Sequence, residues 1–192
     1  MTLAPWRSPL ARALHRNRSL PYARYLQLAT VRPDGHPANR TVVFRGFLDD
    51  TNQIKIVTDA RSEKATQIEH NAWGEACWYF PNTREQFRLS GKLTLVGEDC
   101  TDQNLSQARQ RSWQELSDAA RTQFAWAHPG KSRDENGFNP APPDPSIPLP
   151  HFCLLLLNPT QVDHLELRGD PQNRYIYQFQ PTNNWQMQVV NP

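Results

Sequence analysis

The stretch HFCLLLLN, residues 151–158, carries an unbroken apolar run from Phe152 to Leu157. A strand with one wet face alternates apolar and polar residues, so CLLLL reads as a strand buried on both faces. Such a strand fits between the interior of a β-barrel and a covering helix. The sequence on either side must supply both.

Downstream, QVDHLEL, RYIYQFQ and WQMQVV have strand chemistry and are separated by the turn signals NPT, RGDPQN and PTNN. Upstream, the segment HPGKSRDENGFNPAPPDPSIPLP, residues 128–150, is too rich in Pro, Gly and charge to pack as a helix or strand and reads as an extended or disordered loop. Residues 101–127 place Leu105, Ala108, Trp113, Leu116, Ala119 and Phe124 among polar residues, the pattern of two helices or one interrupted helix lying on a sheet.

The N-terminal half repeats the theme. YLQLATV (25–31), PDGHP and NRTVVFRGF (39–47) read as a hairpin, IKIVT as a third strand, and EACWYFP and EQFRLSGKLTLVG as two more split by NTR. SPLARALHRN reads as a short amphipathic helix with Ser8 as cap and Pro9 at its first position. Many short strands with few helices predict a mainly β domain, a closed or nearly closed barrel with peripheral helices, with a sandwich as the alternative. A length of 192 residues favours one domain spanning 1–192.

Composition narrows the chemistry. With 21 basic and 19 acidic residues the net charge is +2, so no global field draws the chain to nucleic acid or to an anionic membrane. No segment has the length and apolarity of a bilayer span or a secretory signal, which predicts a soluble protein. Cys77, Cys100 and Cys153 have no metal-binding spacing and read as reduced thiols of a cytoplasmic protein. The six histidines lack the spacing of a metal triad on one element, and nucleophile elbows and Gly-rich phosphate loops are missing.

One stretch points to an anion. TDARSEKATQIEHN, residues 58–71, runs from the end of a strand through a turn into a helix, with Arg61 and Lys64 where the helix begins. The positive end of a helix dipole repels cations. Either Asp59 and Glu63 balance them among water, or an anion sits at the helix start and is held by free N–H groups and both cations.

The order RTVVFR, IVTDARSEKATQIEHN, REQFRLSGKLTLV, PLPHF, QVDHLEL and NRYIYQF resembles the pyridoxamine 5′-phosphate oxidase-like FMN-binding split barrels, in particular the oxidase-related branch of cyanobacteria and plants. The resemblance covers nearly the whole chain from about residue 21. It implies an FMN-binding split β-barrel that is homodimeric, with the flavin between two chains. By this resemblance Thr58, Ser62 and Lys64 hold the FMN phosphate, and Arg61 substitutes for an arginine that the family places after the serine. Arg40 reaches the same phosphate, and the backbone of Thr41, Val42 and Val43 runs along the flavin ring. Gln86 bonds the ring's polar edge, and Arg174 reaches a flavin bound mainly by the other subunit. Such a set suits a dianionic phosphate and a reduced flavin.

The resemblance weakens on the substrate side. Arg45 stands where the family has a substrate-phosphate lysine. The companion tyrosine, arginine and serine positions fall at Trp113, Ser117 and Arg121, and a flavin-flanking tryptophan at Leu165. The expected activity is flavin-dependent oxidoreduction of an unknown small molecule. Alternatives are a true pyridoxamine or pyridoxine phosphate oxidase, or a non-catalytic flavin or tetrapyrrole binder. No acid or base is identified, although His128 and Arg45 are placed near the flavin face.

Overall fold

The computed structural model describes residues 3–192. Helix α1 (Arg7–Arg16) is followed by strands β1 (Tyr25–Val31), β2 (Pro37–Val43) and β3 (Ile54–Asp59), then α2 (Glu63–His70). Strands β4 (Trp73–Phe80) and β5 (Glu85–Val96) precede α3 (Gln103–Gln114) and α4 (Asp118–Phe124), and β6 (Phe152–Glu166), β7 (Asn173–Phe179) and β8 (Trp185–Val190) complete the chain. All strand pairings are antiparallel, in the order β2-β1-β4-β5-β6-β7-β8, with β3 pairing the first half of β6.

The sheet curls but does not close. Two of its edge strands, β2 and β3, meet where Arg45 N donates to Lys55 O and Lys55 N donates to Gly46 O, and at a bridge between Phe47 and Ile54. Beyond that contact the margins part. The backbone of β2 is therefore a sheet edge facing a gap, because β1 is its only strand neighbour.

CLLLL lies where its apolarity requires. Leu155 and Leu157 join the barrel core with Trp78, Phe80, Phe87 and Leu89, while Leu154 and Leu156 pack with Val96 and Ala108 of α3. Both sets of leucines are essentially without solvent exposure. Burying such a side chain is worth roughly 1.5–3 kcal/mol, so this strand anchors both layers.

Two sequence expectations change. HFCLLLLN and QVDHLEL are one continuous strand, and NPT is not a turn but a bulge. There Ser90 pairs with Gln161 and Gly91 with Pro159, which leaves Thr160 extra on β6. Pro159 lacks a donor and is tolerated at the irregularity, which falls where β6 exchanges β3 for β7 as its second neighbour. Gly91 is required, since a Cβ there would sit 2.0 Å from Asn158 O. Ser8 is not a cap either: α1 begins at Arg7 with Trp6 before it, and Ser8 Oγ accepts from Arg12 within the helix. Pro9 is accommodated in the first turn, whose N–H groups need no intrahelical partner.

Residues 101–127 form two helices as expected. Residues 128–150 contain no helix or strand, but they are fastened to the body. Ala127 N donates to Gly137 O, Trp113 Nε1 donates to Asp144 O, and Arg109 donates to Leu149 O.

Candidate functional site

Where β2 and β3 part, a cavity of about 670 Å³ opens between the sheet edge, the start of α2, the α3–α4 corner and the loop after α4. It is large enough for a cofactor-sized ligand. Arg40, Thr41, Val42, Val43 and Arg45 line it from β2 and its continuation, Thr58 from the end of β3, and Arg61, Ser62 and Lys64 from the start of α2. These nine residues, separated by up to two dozen positions in sequence, face one space because β2 and β3 are the margins of the split.

At the α2 end the question of the two cations resolves differently for each. Arg61 is answered within the protein. Its Nε and Nη2 make a bidentate pair with Asp59, with Nη2 to Oδ2 at 2.7 Å, and Nη2 also donates to Phe124 O at 3.0 Å. Burial raises the Asp59 carboxyl, but the hydrogen bonds from Arg61 outweigh it and leave the group below its ordinary value.

Lys64 has no such answer. Its Nζ touches only hydroxyls, Thr58 Oγ1 at 2.9 Å and Ser62 Oγ at 3.1 Å. Burial lowers its pKa, and the charge of Arg40 lowers it further. Arg40 likewise bonds neutral acceptors, with Nη1 to Thr30 Oγ1 at 2.6 Å and Nη2 to Gln67 Oε1 at 2.9 Å. Among the described residues neither cation forms a salt bridge. Ser62 is the N-cap of α2, yet its hydroxyl donates back to Asp59 O, so the first-turn N–H groups have no side-chain cap.

Two partly buried cations that repel each other, beside an uncapped helix start, form a positive well in which the nearby carboxylate, Asp59, is already paired with Arg61. Glu63, which the sequence offered as a balancing charge, is exposed and pairs with neither. Arg45 adds a third unanswered group, because its Nε is buried without a hydrogen-bond partner. These features suit a mononucleotide whose phosphate sits at α2 and whose ring lies along the unpaired edge of β2.

Apart from His128, the residues of the opposite wall were not foreseen as part of the site. Leu116, Ala120, Gln123 and Phe124 of the α3–α4 corner line the cavity, followed by Trp126, His128, Lys131 and Phe138 of the loop. The only clue in the sequence was Phe138, the one aromatic inside the Pro- and Gly-rich segment 128–150. His128 and Arg45, placed near the flavin face, both line the space. Trp113, Ser117 and Arg121 do not. Trp113 is buried with Phe152, Ser117 caps α4 through Ala120 N, and Arg121 turns inward onto the carbonyls that end α3.

Gln86 and Arg174 also lie away from the cavity of their own chain. Register places Gln86 opposite Leu165 and Leu165 opposite Arg174, so the three form one row across β5, β6 and β7. The row faces outward, since neighbouring Phe87 and Leu89 point into the core. Arg174 is held by Asp163 through Nε at 3.0 Å and Nη2 at 2.8 Å. On the opposite face of β6 from that row, His164 Nε2 lies 2.9 Å from Glu85 Oε2, with Glu166 nearby. The buried Nδ1 of His164 has no partner, whereas a metal-bound histidine donates its second N–H, so this group reads as a buried hydrogen bond.

Comparison with known proteins identifies the family. The family model of the pyridoxamine 5′-phosphate oxidase FMN-binding domain matches residues 3–97. Pyridoxine/pyridoxamine 5′-phosphate oxidase 2 of Arabidopsis thaliana is 37% identical over 196 residues, covering 99% of this chain and 98% of that protein. A crystal structure of a pyridoxamine 5′-phosphate oxidase-related, FMN binding protein from Nostoc punctiforme is 62% identical, covers 100% of both chains and superposes with a TM-score of 0.97. PhzG from Burkholderia lata, solved with tetrahydrophenazine-1-carboxylic acid, shares the fold at a TM-score of 0.79 and 19% identity, over 98% of this chain and 93% of that one. This chain belongs to the pyridoxamine 5′-phosphate oxidase-like family of FMN-binding split barrels. Among the described residues no helix is long and apolar enough to cross a membrane.

Proposed function

We propose that the protein is a cytoplasmic, homodimeric, single-domain FMN-dependent oxidoreductase acting on a small organic molecule. The observation that carries this reading is the pair Arg40 and Lys64, partly buried beside an uncapped helix start with no carboxylate partner. In this reading Lys64, Ser62, Thr58 and the first N–H groups of α2 hold the FMN phosphate. Arg40 braces them through Gln67, and Arg61 keeps Asp59 from opposing the anion.

The edge of β2 at Thr41, Val42 and Val43 offers N–H and C=O groups to the polar rim of the flavin. When bound, FMN supplies the capacity to accept a hydride. The chain itself orients the ring against β2, excludes water with Leu116, Phe124 and the loop, and favours negative charge with Arg45.

The row Gln86, Leu165 and Arg174 supports a two-chain site. It carries residues that the family directs at a flavin, yet it faces away from the cavity of its own chain. A second copy presenting this row to the cavity would complete the site. The purified protein is expected to be yellow and dimeric by sedimentation, and to bind FMN at least about a hundredfold tighter than riboflavin, which lacks the phosphate. A colourless protein with equal, weak affinity for both ligands would overturn the reading.

The 37% identity with a protein named as a pyridoxine/pyridoxamine 5′-phosphate oxidase favours one second reading, that activity itself. Steady turnover of either phosphorylated vitamer to pyridoxal 5′-phosphate, at a rate matching reoxidation of the bound flavin, would establish it.

A further inference from the structure

We propose that the half of the cavity beyond the flavin is a pocket for a flat, largely apolar molecule bearing a single negative charge, an aromatic monocarboxylate, and not for a phosphate ester. This rests on the FMN reading above and specifies the substrate class of the same site.

Charge placement is the first reason. On the helical wall the residues facing the cavity are Leu116, Ala120, Gln123 and Phe124, none of them ionised. Arg121, the one cation of α4, is turned away and engaged by Trp113 O, Gln114 O, Leu116 O and the Asp118 carboxylate. Within the walls, away from α2, Arg45 is the cation whose buried Nε has no hydrogen-bond partner. It follows Arg40 by five positions, at most roughly 16 Å of extended backbone, and lies beyond the end of β2.

One guanidinium matches one carboxylate in fork geometry. A phosphate dianion in the same place would bury a second charge without an answer, and burial of unpaired charge is strongly unfavourable. The loop does not supply a second cation in effect. Lys131 and Arg133 are exposed at the mouth, where Arg133 Nε lies 2.7 Å from Glu135 Oε1 and Asp134 also lines the space, so neither is a buried charge.

Shape is the second reason. Trp126 and Phe138 stand edge to face at 5.7 Å at the cavity mouth and remain 36% and 39% exposed. Large aromatics held half open at a cavity rim offer faces to a planar ring. Their positions are fixed by the neck of the loop, where Ala127 N donates to Gly137 O at 2.9 Å and a Cβ on Gly137 would meet Ala127 Cβ at 2.4 Å.

The test uses FMN-loaded protein and three probes of one shape: 1-naphthoate, 1-naphthyl phosphate and 1-naphthylmethanol. Binding is read from perturbation of the visible flavin band. Naphthoate is expected to bind about tenfold tighter than the alcohol and no more weakly than the phosphate. Arg45→Gln should remove the preference for naphthoate over the alcohol, and Phe138→Ala should weaken all three probes several-fold. FMN content is measured for every variant, so loss of cofactor is separated from loss of the pocket. Naphthyl phosphate binding more than tenfold tighter than naphthoate, or an unchanged preference in Arg45→Gln, would overturn the proposal while leaving FMN binding intact. Failure to load FMN at all would instead overturn the reading beneath it.

Discussion

Arg121 at the end of α3 and Arg40 with Lys64 at the start of α2 are cations at opposite poles of helices, and they differ in what answers their charge. Arg121 lies where carbonyls are left over, and it takes three of them from Trp113, Gln114 and Leu116. The negative end of the helix dipole adds to that attraction. Arg40 and Lys64 lie where N–H groups are left over, so the dipole adds to their positive field instead of cancelling it. The first arrangement is complete within the protein and holds a corner together. The second is complete only with an anion. What makes a cation a ligand is therefore not its type or its burial but the lack of an internal partner.

Four predictions break or sharpen this contrast. Replacement of Arg121 by Leu strips three carbonyls of their donor and should cost about 3 kcal/mol of stability in denaturant unfolding, with FMN affinity changed by less than about twofold. An affinity loss at unchanged stability would mean that Arg121 is a ligand after all.

Lys64→Met should do the reverse. FMN affinity falls by about 2 kcal/mol in a titration, while the FMN-free protein keeps or gains melting temperature because a penalised charge has gone. Arg61→Ala should cost about 1 kcal/mol of FMN affinity, since it uncovers the Asp59 carboxylate beside the phosphate. Asp59→Asn in the same chain should recover most of that loss, which a direct role for Arg61 as phosphate ligand would not permit.

The smallest effect concerns pH. Burial and Arg40 hold the Lys64 pKa below its ordinary 10.5 in the folded protein. The charged form is thus penalised on folding. The penalty is full below the folded pKa and disappears as pH rises through that value to 10.5. FMN-free protein should gain a little stability across that alkaline window, while the extra stability conferred by FMN shrinks as Lys64 loses its proton. In Lys64→Met both trends should flatten; unchanged slopes would assign them to another group.

Much of this site was legible before the fold was known. Thr58, Ser62 and Lys64 are close in sequence and belong to one strand, turn and helix, so their meeting is a local event. Arg40 and Arg45 were placed through the order of motifs, and the parted margins of β2 and β3 bring them to the same space. For Arg61 the sequence left Asp59 and an anion both open, and nothing in ARSEK shows that the end of α4 also accepts from it. The bulge at Pro159 was misread as a turn for a related reason: the tripeptide NPT looks the same in both, and only the neighbours β5, β3 and β7 distinguish them.

The amino-acid sequence by itself determined most of the elements, the doubly buried strand and the cationic corner at the start of α2, since each depends on patterns within a few residues of one another. Tertiary structure decided which cations lack an ion-pair partner, which wall faces the cavity and which row of residues lies outside it. Those properties depend on partners brought together from 20 to 80 residues apart, such as Arg61 with Phe124 and Glu85 with His164, and no local pattern encodes them.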